Sequence, residues 1–318
     1  MTPTIPVKTL RSAGTTARQG YEKIMFAVMG FGAVLVVLPM LFIFGRLLVG
    51  GLGKVLTPGF LTLPPTNGST EGGIAPQIVG TFALMIGTIV LALPLGISAA
   101  VYLTEYAGRN AATRAIRMAI VNLAGVPSIV HGLFGLGLFV YFLGAWMDDV
   151  AGFSRLNPPQ TFWGRPTLLW GAATLAILVL PVVITATEEA LKTVPRSFRE
   201  GAMALGATKW QTIWKVVLPA ALPGILTGAI LAVGRAAGET APIILVAAVG
   251  YKTRFDAIPP LYEPVVALPY HLFYVVTEVV RATPPLQYGT ALTLLLLVFA
   301  VNLVAIILRN RLRRARKW

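Results

Sequence analysis

Cysteine is absent from this chain, and charged residues are scarce. With no Cys among 318 residues, disulfides, thiolate metal sites and cysteine nucleophiles are excluded. Only 12% of the residues are charged, against about 25% in an average soluble domain, while 56% are hydrophobic. So few charges could not cover a globular core of this apolarity. The composition therefore predicts an integral membrane protein.

The residue types that build catalytic and metal centres are also sparse. The two histidines, His131 and His271, lie far apart and without metal-ligand spacing. The segment VGGLGKVL at 49–56 is not a nucleotide-binding loop, because Leu48 replaces the first glycine and Val55 follows the lysine. No nucleophile and base form a recognisable set. We therefore expect no enzyme activity, no cofactor and no metal, and we interpret His131 as a hydrogen-bonded packing residue.

What the chain does have is long apolar runs. A membrane-spanning helix needs about 20 mainly apolar residues. Six runs meet that length, at 24–45, 72–104, 118–147, 166–187, about 216–249 and about 288–308. The sequence therefore predicts an all-α polytopic membrane protein with six transmembrane helices.

Basic residues alternate between successive loops. Of the 26 Lys and Arg residues, 18 lie in 1–23, 105–117, 188–215 and 309–318. Since basic loops stay in the cytoplasm, both termini are predicted to be cytoplasmic. The basic tail at 309–318 favours contact with anionic membrane lipid. The net charge of +14 is thus accounted for without a nucleic-acid partner.

The basic loop 188–215 contains the capping patterns of two short helices. Ser197 with Glu200 three residues later has the spacing of a capping box, which predicts a short helix beginning at Ser197. Gly206 is the expected stop of that helix. Thr208 and Gln211 repeat the spacing and predict a second helix that leads into the fifth span.

The loop residues alone leave two functions open. An amphipathic hairpin lying on the membrane surface would show this pattern. A hairpin that fits a groove on a soluble protein would show it equally well.

This loop resembles the EAA motif of ABC importer permeases. That motif reads E-A-A, three residues, G, nine residues and I-x-L-P. Here Gly201 replaces the alanine at the second position of the motif, at a cost of up to about 1 kcal/mol of helix stability, and Val216 replaces isoleucine. The resemblance implies ATPase coupling through Glu200, Gly201, Ala202, Gly206, Leu218 and Pro219.

A narrower resemblance, to phosphate importer permeases of the PstA type, covers residues 72–308. It is strongest in GGIAPQIVGT at 72–81 and in the loop running on to GRAAGETAPIIL at 234–245. It implies a type-I permease core at 72–308 with the coupling loop at 188–215, set in the bacterial inner membrane. The residues outside it are a tail at 1–23, a first helix with an external loop at 24–71, and the tail at 309–318. The implied partners are a sister permease, two copies of a cytoplasmic ATPase, an external phosphate-binding protein, inorganic phosphate and membrane lipid.

Two opposite charges lie in the fifth apolar run. Arg235 and Glu239 are one helical turn apart, close enough to pair. A structural ion pair would explain them, and so would a place in an anion pathway, since intramembrane charges mark such pathways. Pro242 loosens the turn before it, which would let Thr240 face the pathway. We interpret Arg235, Glu239 and Thr240 as pathway residues.

Other functions remain alternatives at this point. A permease for sulfate or molybdate would share the loop motif, and the extended likeness with Arg235 favours phosphate over these. An ion-driven secondary transporter would need no docking hairpin. Of the remaining acidic residues, Glu105 is expected at a helix end, and Asp148 and Asp149 in a solvated outer loop.

Overall fold

A computed structural model describes residues 13–108, 110–156, 158, 160–249 and 257–315. Six of its helices are long and apolar enough to cross a membrane, which confirms the predicted all-α architecture with six spans. The spans, numbered one to six, are Tyr21–Val55, Ala75–Tyr106, Ser128–Val150, Leu168–Thr193, Lys209–Gly238 and Pro284–Arg311.

Helices account for nearly all of the regular structure. The α-helices are α1 (Ala13–Val55), α2 (Ala75–Val101), α3 (Ala111–Ala124), α4 (Ser128–Gly135), α5 (Ala145–Val150), α6 (Leu168–Thr193), α7 (Arg196–Ala204), α8 (Lys209–Thr212), α9 (Leu218–Gly238), α10 (Ala241–Val246), α11 (Leu268–Thr277) and α12 (Pro284–Ala315). Wider π-helical turns at Tyr102–Tyr106, Leu136–Gly144 and Ile213–Val217 continue three of the spans. Two short strands, β1 (Pro65–Thr66) and β2 (Glu71–Gly72), pair antiparallel after span one.

Span four lies at the centre of the bundle, with 67% of its most apolar stretch buried. Spans two and five pack against it through glycines. A Cβ on Gly96 would meet Val183, and one on Gly228 would meet Ala186, each at 2.5 Å. Backbones this close are typical of membrane helices, which pack through small residues. Gly224 approaches Ala190 of span four in the same way, at 2.5 Å.

Span one is less enclosed than the others. Its residues 21–42 are exposed along their whole length. Its second half packs on the last span, where Gly51 lies against the backbone of Tyr288. Parts of the predicted tails, 1–12 and 316–318, lie outside the described residues, as do Arg109, Lys252 and Arg254 from the predicted charge pattern.

The outer-loop prediction for Asp148 was wrong. Its side chain is 3% exposed, and its carboxylate accepts hydrogen bonds from the backbone N–H groups of Phe162, Trp163 and Gly164 at 2.7–3.0 Å. Three such donors compensate a buried carboxylate. Asp148 therefore holds the chain returning toward span four against the end of span three.

Candidate functional site

The predicted hairpin between spans four and five is present, but its first helix begins earlier than predicted. Helix α7 starts at Arg196, directly after Pro195, and Ser197 makes no capping hydrogen bond. The reason is Pro195, whose φ of −58° and ψ of 143° direct the chain straight into the helix. The predicted cap role of Ser197 is therefore wrong.

The turn and the second helix follow the predicted chemistry. Gly206 has a φ of +86°, a left-handed conformation that ends α7. Thr208 caps α8, accepting from the Gln211 backbone N–H while its own N–H donates to the Gln211 side chain. The reciprocal pair confirms the predicted capping box at Thr208.

The hairpin presents an open surface at its tip. Glu200, Gly201 and Gly206 are exposed, and Ala202 is half-buried. Leu205 is 91% exposed, which is extreme for a leucine. A tip this apolar, next to an uncovered carboxylate, fits a contact surface better than a water-facing loop.

The second hairpin helix is continuous with span five. Helix α8, the π-helical turn and α9 form one uninterrupted helix from Lys209 to Gly238, which includes Leu218 and Pro219. Ile213 and Val217 are fully buried within an apolar cluster to which spans two and four also contribute. The base of the hairpin is thus packed as firmly as the bundle itself.

A charged contact that the sequence analysis missed attaches α7 to span two. The Arg199 Nη2 donates to Glu105 Oε1 at 2.7 Å, and Nε donates to the same oxygen at 3.2 Å. Both side chains are largely buried. The Arg199 guanidinium also donates to the carbonyls of Leu191 and Val194 at the end of α6. One arginine therefore joins the hairpin to the ends of two spans.

A second contact of the same kind lies nearby. Arg117 of α3 forms an ion pair with Glu188 of α6, and its Nη2 donates to the Leu103 carbonyl at 2.7 Å. The sequence placed these residues in a basic loop and at the end of a span, and 71 positions separate the pair. Nothing in the local pattern predicts such a pairing.

The predicted ion pair of span five is also present. Arg235 Nε lies 3.2 Å from Glu239 Oε1. The side chains are 37% and 17% exposed, so the pair is open to one side of this chain rather than sealed within it. The contact uses one nitrogen and leaves the remaining guanidinium face available for an anion.

The helix ends between these two charges, which corrects the prediction of one span from 216 to 249. Glu239 is extended, with a φ of −72° and a ψ of 129°, and α10 begins only at Ala241. Pro242 would clash with the Gly238 carbonyl in an unbroken helix. The half-buried Thr240 is the residue in the break, as its predicted pathway role requires.

Span three packs directly on this break. A Cβ built on Gly132 would lie 2.8 Å from Pro242 Cα and 3.0 Å from its carbonyl oxygen. The adjacent His131 is buried and contacts the Pro127 carbonyl at 3.4 Å. A glycine is therefore required where span three approaches the interrupted helix.

The six-span bundle, the exposed hairpin and the broken span are together typical of a membrane transport protein. A model of the family described as "Binding-protein-dependent transport system inner membrane component" matches residues 92–317. The chain belongs to that family. It is an ABC importer permease, a class that works with an ATPase and a substrate-binding protein, and a multi-pass membrane protein.

Relatives and solved structures agree with this family. The chain is 30% identical to "Probable ABC transporter permease protein YqgI" of Bacillus subtilis strain 168, over 89% of this chain and 93% of the relative. It is 32% identical to "Phosphate transport system permease protein PstA 1" of Mycobacterium tuberculosis strain H37Rv, over 77% and 72%. The fold matches a chain of a bacterial alginate ABC transporter with a TM-score of 0.62 at 14% identity, covering 92% of this chain and 94% of that one.

Proposed function

We propose that this chain is a transmembrane subunit of an ATP-driven importer of inorganic phosphate. The observation that carries the proposal is the unbroken helix from Lys209 to Gly238. It joins the hairpin, which has the position and exposure of a docking element, to the Arg235–Glu239 pair at its far end. From Leu218 to Arg235 the helix spans about 25 Å, at 1.5 Å per residue.

The hairpin receives the ATP-driven movement. Glu200 and the apolar tip contact the ATPase, and Gly206 sets the angle between α7 and α8. Because the base of the hairpin is fixed to the ends of spans two and four, displacement of α7 moves those spans and span five together. The coupling is the rigid-body kind, in which a packed element transmits motion.

Arg235 supplies the charge that an anion needs in a low-dielectric pathway. Its guanidinium presents paired N–H donors that match phosphate oxygens. Glu239 competes for the same charge and so prevents tight trapping. The break at Glu239 and Thr240 lets the local backbone change without unfolding the span.

The remaining assignments follow from this function. Both termini and the hairpin lie in the cytoplasm, where two ATPase copies bind. A sister permease completes the pathway, and a phosphate-binding protein docks on the opposite end, at the loops that follow spans one, three and five. The chain divides as the sequence predicts, with the permease core at 72–308. A relative named as a phosphate permease supports phosphate over sulfate or molybdate.

Uptake by the reconstituted complex tests the proposal. Radiolabelled phosphate should enter proteoliposomes on ATP addition, and excess unlabelled sulfate or molybdate should not compete. Arg235→Gln should lower kcat/KM for uptake by roughly 10- to 100-fold, the value of one charged hydrogen bond. The matched control Arg311→Gln removes an exposed arginine from the end of span six, outside the outer loops and the hairpin, and should leave uptake unchanged.

Three results would contradict it. If unlabelled sulfate competes with phosphate for uptake, the proposal that phosphate is the substrate is wrong. Normal uptake by Arg235→Gln would remove Arg235 from the pathway. Failure of that variant to assemble would make the pair structural.

A further inference from the structure

A basic cavity of about 660 Å³ lies beside the hairpin, where α3, the end of span two, the end of α6 and the start of α7 meet. We propose that it binds a phosphate-group anion, either free phosphate or the headgroup of a membrane lipid. The cavity is distinct from the Arg235 pair, which lies at the other end of span five. Its charged lining residues are Arg114, Arg117, Lys192 and Arg196.

The charge balance of the cavity favours a dianion. Two of its four cations already have carboxylate partners, since Arg117 pairs with Glu188 and Lys192 contacts Glu189 at 2.7 Å. Arg114 and Arg196 have no carboxylate partner within the described part of the chain. The lining therefore has an excess of about two positive charges, which one phosphate dianion would neutralise.

Neutral donors complete the site. Thr104 is half-buried and lines the cavity, and its shielded hydroxyl has no hydrogen-bond partner among the described residues. Asn110 and Thr113, the cap and third residue of the 14-residue α3, also line it, so the N-terminus of that helix faces the cavity. Free backbone N–H groups and the helix dipole favour an anion there.

The position of the site gives binding a consequence for the hairpin. Arg196 is the first residue of α7, whereas Arg114 belongs to α3. An anion held by both ties the hairpin to α3, next to the Arg199–Glu105 contact in the adjoining cavity. Occupancy therefore stiffens the hairpin whatever the transported substrate is.

Direct binding tests the free-anion source. The full-length protein is placed in nanodiscs of zwitterionic lipid in the Arg235→Gln background, so that the pathway does not contribute. Binding of radiolabelled inorganic phosphate is then measured. The double variant Arg114→Gln/Arg196→Gln should bind at least tenfold more weakly. The control Arg155→Gln/Arg281→Gln removes the same charge at two exposed residues that do not line the cavity and should bind normally.

Native mass spectrometry tests the lipid source. Protein extracted with its own membrane lipids should retain bound anionic phospholipid, and the double variant should retain less than the control. Thr104→Val removes only the hydroxyl, preserves shape and charge, and should weaken whichever ligand binds by about three- to tenfold.

The two arms identify the ligand or reject the site. Loss of phosphate binding in the double variant assigns free phosphate, and loss of retained lipid assigns a headgroup. If the double variant matches its control in both arms, the proposal is wrong. It is equally wrong if the double variant releases a soluble subunit while neither ligand is affected, because the cavity would then be a protein contact.

Discussion

One charged contact lies in the hairpin that precedes span five and another lies at the far end of that span, and the two differ in what they connect. At the hairpin end, Arg199 joins α7 to Glu105 of span two and to carbonyls of span four. At the far end, Arg235 contacts Glu239, four residues along the same chain. The first contact fixes one element against others, whereas the second closes only a local turn.

Their energies differ accordingly. Removing one partner of a largely buried ion pair typically costs about 3–5 kcal/mol, because a buried charge is left alone. An open pair at i and i+4 contributes about 0.3–0.5 kcal/mol. The Arg235 contact is thus too weak to justify two charges in a membrane span through stability alone. In the proposed function, the Arg235 contact belongs to the transport pathway and the Arg199 contact to the transmission of movement.

The largest effect should come from the exposed tip of the hairpin. Glu200→Lys should abolish ATP-driven uptake, because it places a cation where the ATPase meets a carboxylate. The measurement is co-purification of the ATPase together with phosphate uptake. Glu22→Lys makes the same charge change at an exposed site at the start of span one, outside the hairpin and the outer loops, and should keep both. An ATPase that still binds Glu200→Lys and drives uptake would remove the hairpin from the coupling route.

Loss of the Arg199 contact should have the next largest effect. Arg199→Gln should destabilise the hairpin by about 2–4 kcal/mol, at the lower end for a buried pair because both groups keep some water contact. Hydrogen exchange of α7 amides should rise. In a double-mutant cycle with Glu105→Gln, the second change should cost much less than it does alone. Additive effects would show that Arg199 acts through the two carbonyls and not through Glu105.

The contact between span three and the break that follows span five can be tested by substitution. Gly132→Ala should push span three away from Pro242, destabilising the bundle by about 1–3 kcal/mol. Thermal unfolding in detergent measures this. Gly137→Ala is the matched control, because a Cβ there meets nothing within 4 Å. Equal melting temperatures for both variants would mean that span three does not hold the break.

Much of this architecture is readable from local pattern. The six spans follow from apolar runs, and the Thr208 cap and Gly206 turn follow from short-range spacing. The Arg235–Glu239 pair was predictable for the same reason, since its partners are four residues apart. The loop motif is recognisable for the same reason, and the coupling surface it implies stays a prediction.

The contacts that the local sequence pattern could not predict join residues that are far apart in the sequence. Glu105 and Arg199 are 94 positions apart, and Arg117 finds Glu188 only after the bundle has formed. Asp148 looked like a loop residue because its three donors come from residues 162–164. The predicted span five extended too far along the chain, because apolar residues continue through the break. Hydropathy therefore gave no sign of the helix interruption that Pro242 causes.

The smallest expected effect is the difference in stability between variants of the two predicted helix caps, Thr208 and Ser197. Thr208→Ala should cost about 1 kcal/mol, since it removes the acceptor for the Gln211 N–H. Ser197→Ala should be close to neutral or slightly stabilising, because Ser197 caps nothing and alanine is the better helix former. Melting temperature and amide exchange at 196–212 distinguish the two variants.

An equal loss of stability in both variants would show that Ser197 is a cap and would move the start of α7 toward the tip of the hairpin. Arg199 would then be the second residue of the helix rather than the fourth, and its contact with Glu105 would need a different backbone. The pair of substitutions therefore tests the geometry on which the rigid end of span five depends.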